Sequence, residues 1–348
     1  MRSRNGVDAG SAPADLYRFA PGLVVSMRGD RRARAHFRAE YASAALAGDS
    51  AVPALEAAVG AHVRGARSRK RTPEPELRGT HKLARWRASV PVTPDADTMR
   101  VAVDVRGPLG LVLVQSYIVE PLVSLAAVRS GSVLLPSAAI VRGGRALLLI
   151  GRSRSGKSSL AALALAAGRR ILGDDQVFIG ANQDCLPFPR RLRVYPDLAR
   201  TAPAAFAALS PSARRALAGL RRVKTLSRGV VAPPLRVSTS ALGASAGPLY
   251  LPIGEVVVIR RAPVGALEFE PLDQGELQAE AEDVLLSQRS AIFGLPGVQA
   301  AFDTLLAEER TILSSAFATA PARRALVPDS WPAELAVGTL ARELGLEP

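Results

Sequence analysis

The octet GRSRSGKS, Gly151 to Ser158, fits the pattern G-x-x-x-x-G-K-[ST]. The apolar run Arg145 to Ile150 before it reads as a strand, and Ser158 to Ala167 after it reads as a helix ended by Gly168. This strand-to-helix setting is the one in which the pattern cradles phosphates. Glycines at 151 and 156 permit positive φ and let successive backbone N–H groups face phosphate oxygens, reinforced by the positive end of the helix. Lys157 would reach the β- and γ-phosphates, and the Ser158 hydroxyl would join a Mg²⁺ shell. The candidate nucleotide-binding residues are Gly151, Ser153, Ser155, Gly156, Lys157, Ser158 and Ser159, with Lys157 also a candidate catalytic cation.

A second element, Gly173-Asp174-Asp175, closes the short apolar run Arg170 to Leu172, with Asp174 17 positions after Lys157. If that strand lies beside the strand leading into the octet, both carboxylates reach the γ-phosphate. One could then hold Mg²⁺ while the other accepts a proton from an attacking hydroxyl. Spacing does not say which does which. Two further cationic groups invite attention: Arg221, Arg222, Lys224 and Arg228 in a segment that reads as a Gly-containing loop, and Arg190, Arg191 and Arg193. Alternation along a strand puts Arg191 and Arg193 on one face, and surface exposure is the plainer expectation for both groups.

The elements that must position these groups are only partly legible. Val133 to Val141 and Arg145 to Ile150 read as strands joined at Gly143-Gly144. Leu16 to Ala20, Gly22 to Met27, Met99 to Arg106 and Gly254 to Arg260 also read as strands, and Leu109 to Val119 reads as a strand pairing across Gly107-Pro108, with a helix after Pro121. Ala-rich windows at Ala33 to Ala47, Val52 to Val63 and Pro203 to Leu220 have helical character, as do Ala279 to Phe293, Val298 to Leu313 and Ala333 to Leu344. Arg64 to Glu76 and Arg221 to Arg236 read as loops.

Composition sets the limits. A chain of 348 residues suggests two domains at about 150 residues each, and 48% hydrophobic with 22% charged residues is enough for a sizeable core. A single cysteine, Cys185, excludes an internal disulfide framework and a cysteine-built zinc site. The three histidines, His36, His62 and His81, all lie far from the octet in sequence. The net charge of +14 invites a nucleic-acid reading, but only four of the 45 basic residues are lysine and aromatics are 5%, without the interleaving that nucleic-acid surfaces use. No nucleic-acid partner is expected. Met1 to Gly10 lacks the apolar run of a signal peptide, and the most apolar stretch, Leu109 to Val128, is broken by Gln115, Glu120 and Pro121. A cytoplasmic protein without a membrane partner is the expectation.

The block LLLIGRSRSGKSSLAALALAAGRRILGDDQVFI, residues 147–179, resembles the catalytic core of the HPr kinase/phosphorylase family, related in fold to phosphoenolpyruvate carboxykinase. The shared features are the phosphate loop, a short helix, Gly168, a strand, and Asp174-Asp175 at the same interval. The convincing likeness spans Arg145 to Ile179, with weaker likeness in VEPLVSLAAVRSGSVLLPSAAIV upstream and FPRRLRVYPD downstream. The resemblance implies an α/β fold with a P-loop kinase-like domain over residues 96–348, preceded by an N-terminal α+β accessory region over residues 1–95; that region is the least family-like and is where substrate selection is expected. It further implies an ATP-dependent serine kinase acting on a small protein or peptide, with Asp174 as the general base and Ser158 and Asp175 organising Mg²⁺. Members of the family assemble into hexamers, so a homo-oligomer belongs to the same implication.

Three departures set the chain apart from the bifunctional members. Pro136 stands where the family has a histidine before the loop, Ser159 stands where it has a glutamate, and the later glycine-rich signature is absent. HPr as the acceptor and phosphorylase activity are therefore not carried over. The same residues admit a P-loop ATPase, or an adaptor that binds nucleotide without transfer. A GTPase would need a base-reading N-K-x-D, which the chain lacks, and no oxaloacetate-binding set supports a carboxykinase.

Overall fold

The computed structural model describes residues 14–47, 51–61, 76–81, 84–89, 98–107, 109–228, 234–238, 250–295 and 298–347. Met1 to Gly10, the basic stretch 64–75, His62, Pro108 and Gly229 lie outside these. The protein is mixed α/β with mixed sheets, and it divides into two compact units: Met1–Leu134 with Leu285–Ile312, and Leu135–Val284 with Leu313–Pro348.

The first unit carries a sheet of six strands in the order Asp15–Ala20, Leu23–Gly29, Leu55–Gly60, Met99–Arg106, Ala84–Ser89, Glu76–His81. Its central pairings, Leu23–Gly29 with Leu55–Gly60 and Leu55–Gly60 with Met99–Arg106, are parallel. The helix Arg31–Glu40 makes the crossover that a parallel pair requires. Asp30 starts it by accepting a hydrogen bond from the Ala33 amide at 2.8 Å. Its Phe37 and Ala33 are buried, and Phe37 lies among a cluster of rings that includes Tyr17 and Tyr41.

Two segments differ from the sequence reading here. Leu55–Gly60, inside the window read as helical, is a strand with Leu55, Ala57 and Val59 buried. Its alanines favour helix, but a parallel central strand buried within the sheet overrides that weak preference. Leu109 to Val119, read as a strand, is helical: Gly110–Arg129 forms one helical run whose middle, Gln115–Val119, is wound as a π-helix. Apolarity on all sides fits a buried helix as well as a buried strand, and periodicity cannot separate them. By length and composition this helix could cross a membrane, and 78% of its apolar window is buried inside the protein.

The second unit holds the octet. Its sheet runs Ile171–Gly173, Ser137–Arg142, Arg145–Ile150, Leu251–Ala262, with Ala322–Pro328 and Glu268–Pro271 beyond. Ser137–Arg142 and Arg145–Ile150 form the hairpin expected at Gly143-Gly144, with Arg142 opposite Arg145. Arg145–Ile150 then runs parallel to Leu251–Ala262, which runs parallel to Ala322–Pro328. On one face, Leu160, Ala161 and Ala164 of the helix Lys157–Ala166 pack with Leu147 and Leu149 of the strand before the loop and with Val337 and Leu340 of the helix Ala333–Glu343. On its other side, Ala162 and Leu165 pack with Leu192, Val194 and Leu217.

The first unit also buries an ion pair. Arg289, with none of its side chain exposed, donates to Glu309 through both terminal nitrogens, at 2.9 Å for Nη1, and to Ser124 Oγ at 2.6 Å. Removing one partner strands a buried guanidinium, so Glu309→Gln should cost about 3–5 kcal/mol by urea unfolding, whereas the apolar pair Arg289→Met with Glu309→Leu should cost less. Equal losses would show that packing, not charge compensation, matters at this position.

Candidate functional site

The octet forms the turn between the strand Arg145–Ile150 and the helix Lys157–Ala166. Two of its positions require glycine. Gly156 caps the helix at φ +102°, and a Cβ on Gly151 would sit 2.8 Å from the Ile259 carbonyl oxygen and 2.9 Å from Ser155 Oγ. No side chain caps the helix, so the N–H groups of its first turn are left to face the loop's concavity. Arg154 adds strain by sitting at φ 70° without being glycine.

Lys157 is buried. Its ammonium donates to the Gly151 carbonyl, to the Arg152 carbonyl at 3.0 Å and to Ser155 Oγ at 3.3 Å. Burial pulls its pKa below the usual lysine value, opposed by the charges of Asp175 and Asp174. The loop therefore holds its own cation folded over it. Ser153 lies on the exposed rim, Ser155 is half-buried, and Ser158 Oγ donates to the Asp174 backbone carbonyl at 3.3 Å. Ser159 Oγ instead donates to Thr201 Oγ1 at 3.1 Å, turned away from the loop. Arg152 reaches out to Asp283 at 2.8 Å.

The strand carrying the aspartates is not beside the strand before the loop. Ile171–Gly173 pairs with Ser137–Arg142, which stands between them. The aspartates are nonetheless close enough to Lys157 for their charges to act on it, because they lie past the strand's end, where the Ser158 hydroxyl meets the Asp174 backbone.

The two carboxylates have different surroundings. Asp174 is 6% exposed and accepts the Arg193 backbone N–H at 3.0 Å. Burial raises its pKa, with the negative charge of Asp175 adding to the rise, against the pull of Arg190 and Arg193. Asp175 accepts from Arg190 Nη2 at 2.8 Å and from Arg193 Nη1 at 3.2 Å. Burial alone would raise Asp175 as well, but Arg190, Arg193 and Lys157 outweigh it and hold its carboxyl well below the ordinary range. One carboxyl is thus held below the ordinary range and the other above it.

No protein-family model and no curated protein matches this chain. Its chemistry has to be read from the residues themselves.

Arg190 and Arg193 are the residues that sequence reasoning placed wrongly. Their side chains are only 3% and 14% exposed, so they belong to the site rather than to the surface. Strand alternation paired Arg191 with Arg193, but the strand begins only at Leu192, and Arg190 reaches Asp175 from the turn before it. Arg190 also donates to Gln176 Oε1 at 3.0 Å. The segment Arg221 to Lys224 is likewise corrected: it is the last part of the helix Pro211–Leu226, not a loop that could close over the site. The helix read from Pro203 to Leu220 simply runs on for about a further turn and a half, since nothing in Arg221 to Leu226 breaks it.

A triphosphate fits this donor set, since the uncapped N–H groups of the helix N-terminus and a lysine that can exchange its loop acceptors for phosphate oxygens belong to one turn. Among the described residues no cluster of three acidic, histidine or cysteine side chains could bind a metal alone. A Mg²⁺ ion would therefore have to draw mainly on phosphate oxygens and water, which is its usual habit, with Ser158 and Asp175 the protein groups that would supplement them.

The two aspartates should behave oppositely on neutralisation. Asp174→Asn removes a charge whose folded pKa is raised, so it should stabilise the protein at neutral pH. That gain should shrink to nothing as pH falls below about 4, where the unfolded carboxyl also protonates. Asp175→Asn removes one charged partner shared by Arg190 and Arg193 and should destabilise by about 1–3 kcal/mol. Thermal unfolding of both variants across pH checks the pair; a common sign at neutral pH would overturn the distinction.

Proposed function

We propose that the protein is an ATP-dependent kinase that transfers the γ-phosphoryl group to a serine hydroxyl on a small protein or peptide. The observation that carries this reading is the placement of two unlike aspartates beside a glycine-rich loop whose lysine is buried. Binding alone needs the loop and the lysine; a desolvated carboxylate next to an ionised one is what proton transfer at that place would use.

In this mechanism the first-turn N–H groups of the helix Lys157–Ala166 and the Lys157 ammonium bind and orient the β- and γ-phosphates. Lys157 exchanges its present acceptors, the loop's own carbonyls, for phosphate oxygens. Mg²⁺, held through Ser158 and Asp175, would neutralise charge on the phosphates. Asp174 takes the proton of the serine hydroxyl as the serine oxygen bonds to phosphorus and the bond to the ADP oxygen breaks. Arg190 and Arg193 keep Asp175 ionised, so that Asp174 is the member of the pair free to take up a proton.

A second reading, an adaptor that binds nucleotide without transfer, is favoured by one observation: Asp175 already spends its carboxylate on two guanidinium groups. Incubation with γ-labelled ATP, Mg²⁺ and lysate fractions from the protein's own source separates the two. Transfer should appear on a discrete band, fall by about 10²–10⁴-fold in Asp174→Asn with ATP affinity retained, and vanish in Lys157→Ala. Tight ATP binding that depends on Lys157 with no labelled product would select the adaptor.

A further inference from the structure

The chain's excess of positive charge is not spread evenly. The helix Pro211–Leu226 carries Arg214, Arg215, Arg221, Arg222 and Lys224 and no acidic residue. Among the described residues none of these five has a carboxylate partner, whereas Arg100, Arg152, Arg260 and Arg324 each do. Only part of that charge suits the helix itself: Lys224 lies in the last turn, where the macrodipole favours a cation. Arg214 and Arg215 lie in its N-terminal half, where the macrodipole disfavours cations, and its first turn has no acid to offset them.

The helix is fixed by one side only. Leu217 is buried, and Ala213 and Leu220 pack beside it in the cluster that also holds Ala162 and Leu165 of the helix after the phosphate loop. The same cluster contains Leu192 and Val194, which flank Arg193 on its strand. The basic helix is therefore built onto the same small core as the groups that set Asp175. Arg215, Arg222 and Leu226 fall seven and four residues apart, on one stripe away from that core. Leu226 is 86% exposed and Val223 42%.

We propose that this solvent face docks an acidic polypeptide segment carrying apolar residues, and that this segment belongs to the chain bearing the acceptor serine. The second half of the statement rests on the phosphoryl-transfer reading; the docking itself does not. Charge complementarity calls for a polyanion, and the exposed leucine and valine decide its kind. Apolar side chains gain nothing from a phosphate backbone, and the helix has no aromatic residue to stack a base and no amide side chain to read one. An anionic membrane is disfavoured because the helix's apolar side is already spent on the core.

The test uses the full chain and a fluorescein-labelled peptide that alternates glutamate with leucine around one serine, with a lysine-for-glutamate counterpart as control. Binding is read by anisotropy at about 0.15 M salt. The acidic peptide should bind and the basic one should not. The charge reversal Arg215→Glu with Arg222→Glu should weaken the acidic peptide about tenfold or more, and Leu226→Ser should weaken it with charge unchanged. Circular dichroism and binding of a fluorescent ATP analogue should stay as in the parent protein; if the reversal misfolds, the glutamine pair at the same positions replaces it. Equal affinity in parent and variants overturns the proposal. So does tighter binding of a single-stranded oligonucleotide of equal charge, or of phosphatidylserine vesicles, than of the peptide. Peptide binding lost in the variants, in a protein that never transfers phosphate, would leave the docking surface standing and remove only the kinase reading.

Discussion

Five charged groups lie close together around one strand-to-helix turn: Lys157, Arg190 and Arg193 against Asp174 and Asp175. The side chains of Lys157, Asp174, Arg190 and Arg193 are largely out of solvent and would be costly alone, and the mutual contacts of the five groups offset part of that cost. With both carboxylates ionised the cluster has one excess positive charge. A desolvated cluster with surplus positive charge is receptive to a polyanion such as a triphosphate. The same cluster explains why two adjacent, chemically identical residues differ: the arginines lie against Asp175, while Asp174 receives a backbone N–H.

This arrangement depends on packing that contains no charge. The helix Lys157–Ala166 is gripped on one side by the sheet and the helix Ala333–Glu343, and on the other by the cluster that carries Leu192 and Val194. Its alanines at 161, 162 and 164 allow that close approach on both sides. Arg193 is thus positioned by the same contacts that position Lys157. A substitution in either small core would be felt at the site as a shift in the balance between the aspartates.

The loop and its immediate setting were legible in the sequence because their signals are local. Glycines at fixed offsets, an apolar strand, a helix-forming run and the Gly143-Gly144 turn each act within a few residues. The aspartate pair was legible as chemistry, but its strand's neighbour was not, since Ser137–Arg142 inserts itself through pairing that no local pattern encodes. The arginines were missed for a related reason: alternation predicts faces only within a strand, and Arg190 lies before one. The front of the chain misled in both directions, with Leu55–Gly60 rich in helix formers yet a strand, and Gly110–Val119 rich in strand formers yet a helix. In both, tertiary packing overrode propensity.

The central claim is that the Gly151 to Ser158 loop binds a nucleoside triphosphate through Lys157. Calorimetric titration of the purified protein with ATP and Mg²⁺ tests it most directly, with Lys157→Ala alongside. The account predicts saturable binding to the parent protein and a loss of about 2–3 kcal/mol, or roughly a hundredfold in affinity, in the variant. Binding of equal strength in both proteins, or none in either at millimolar ATP, would contradict it.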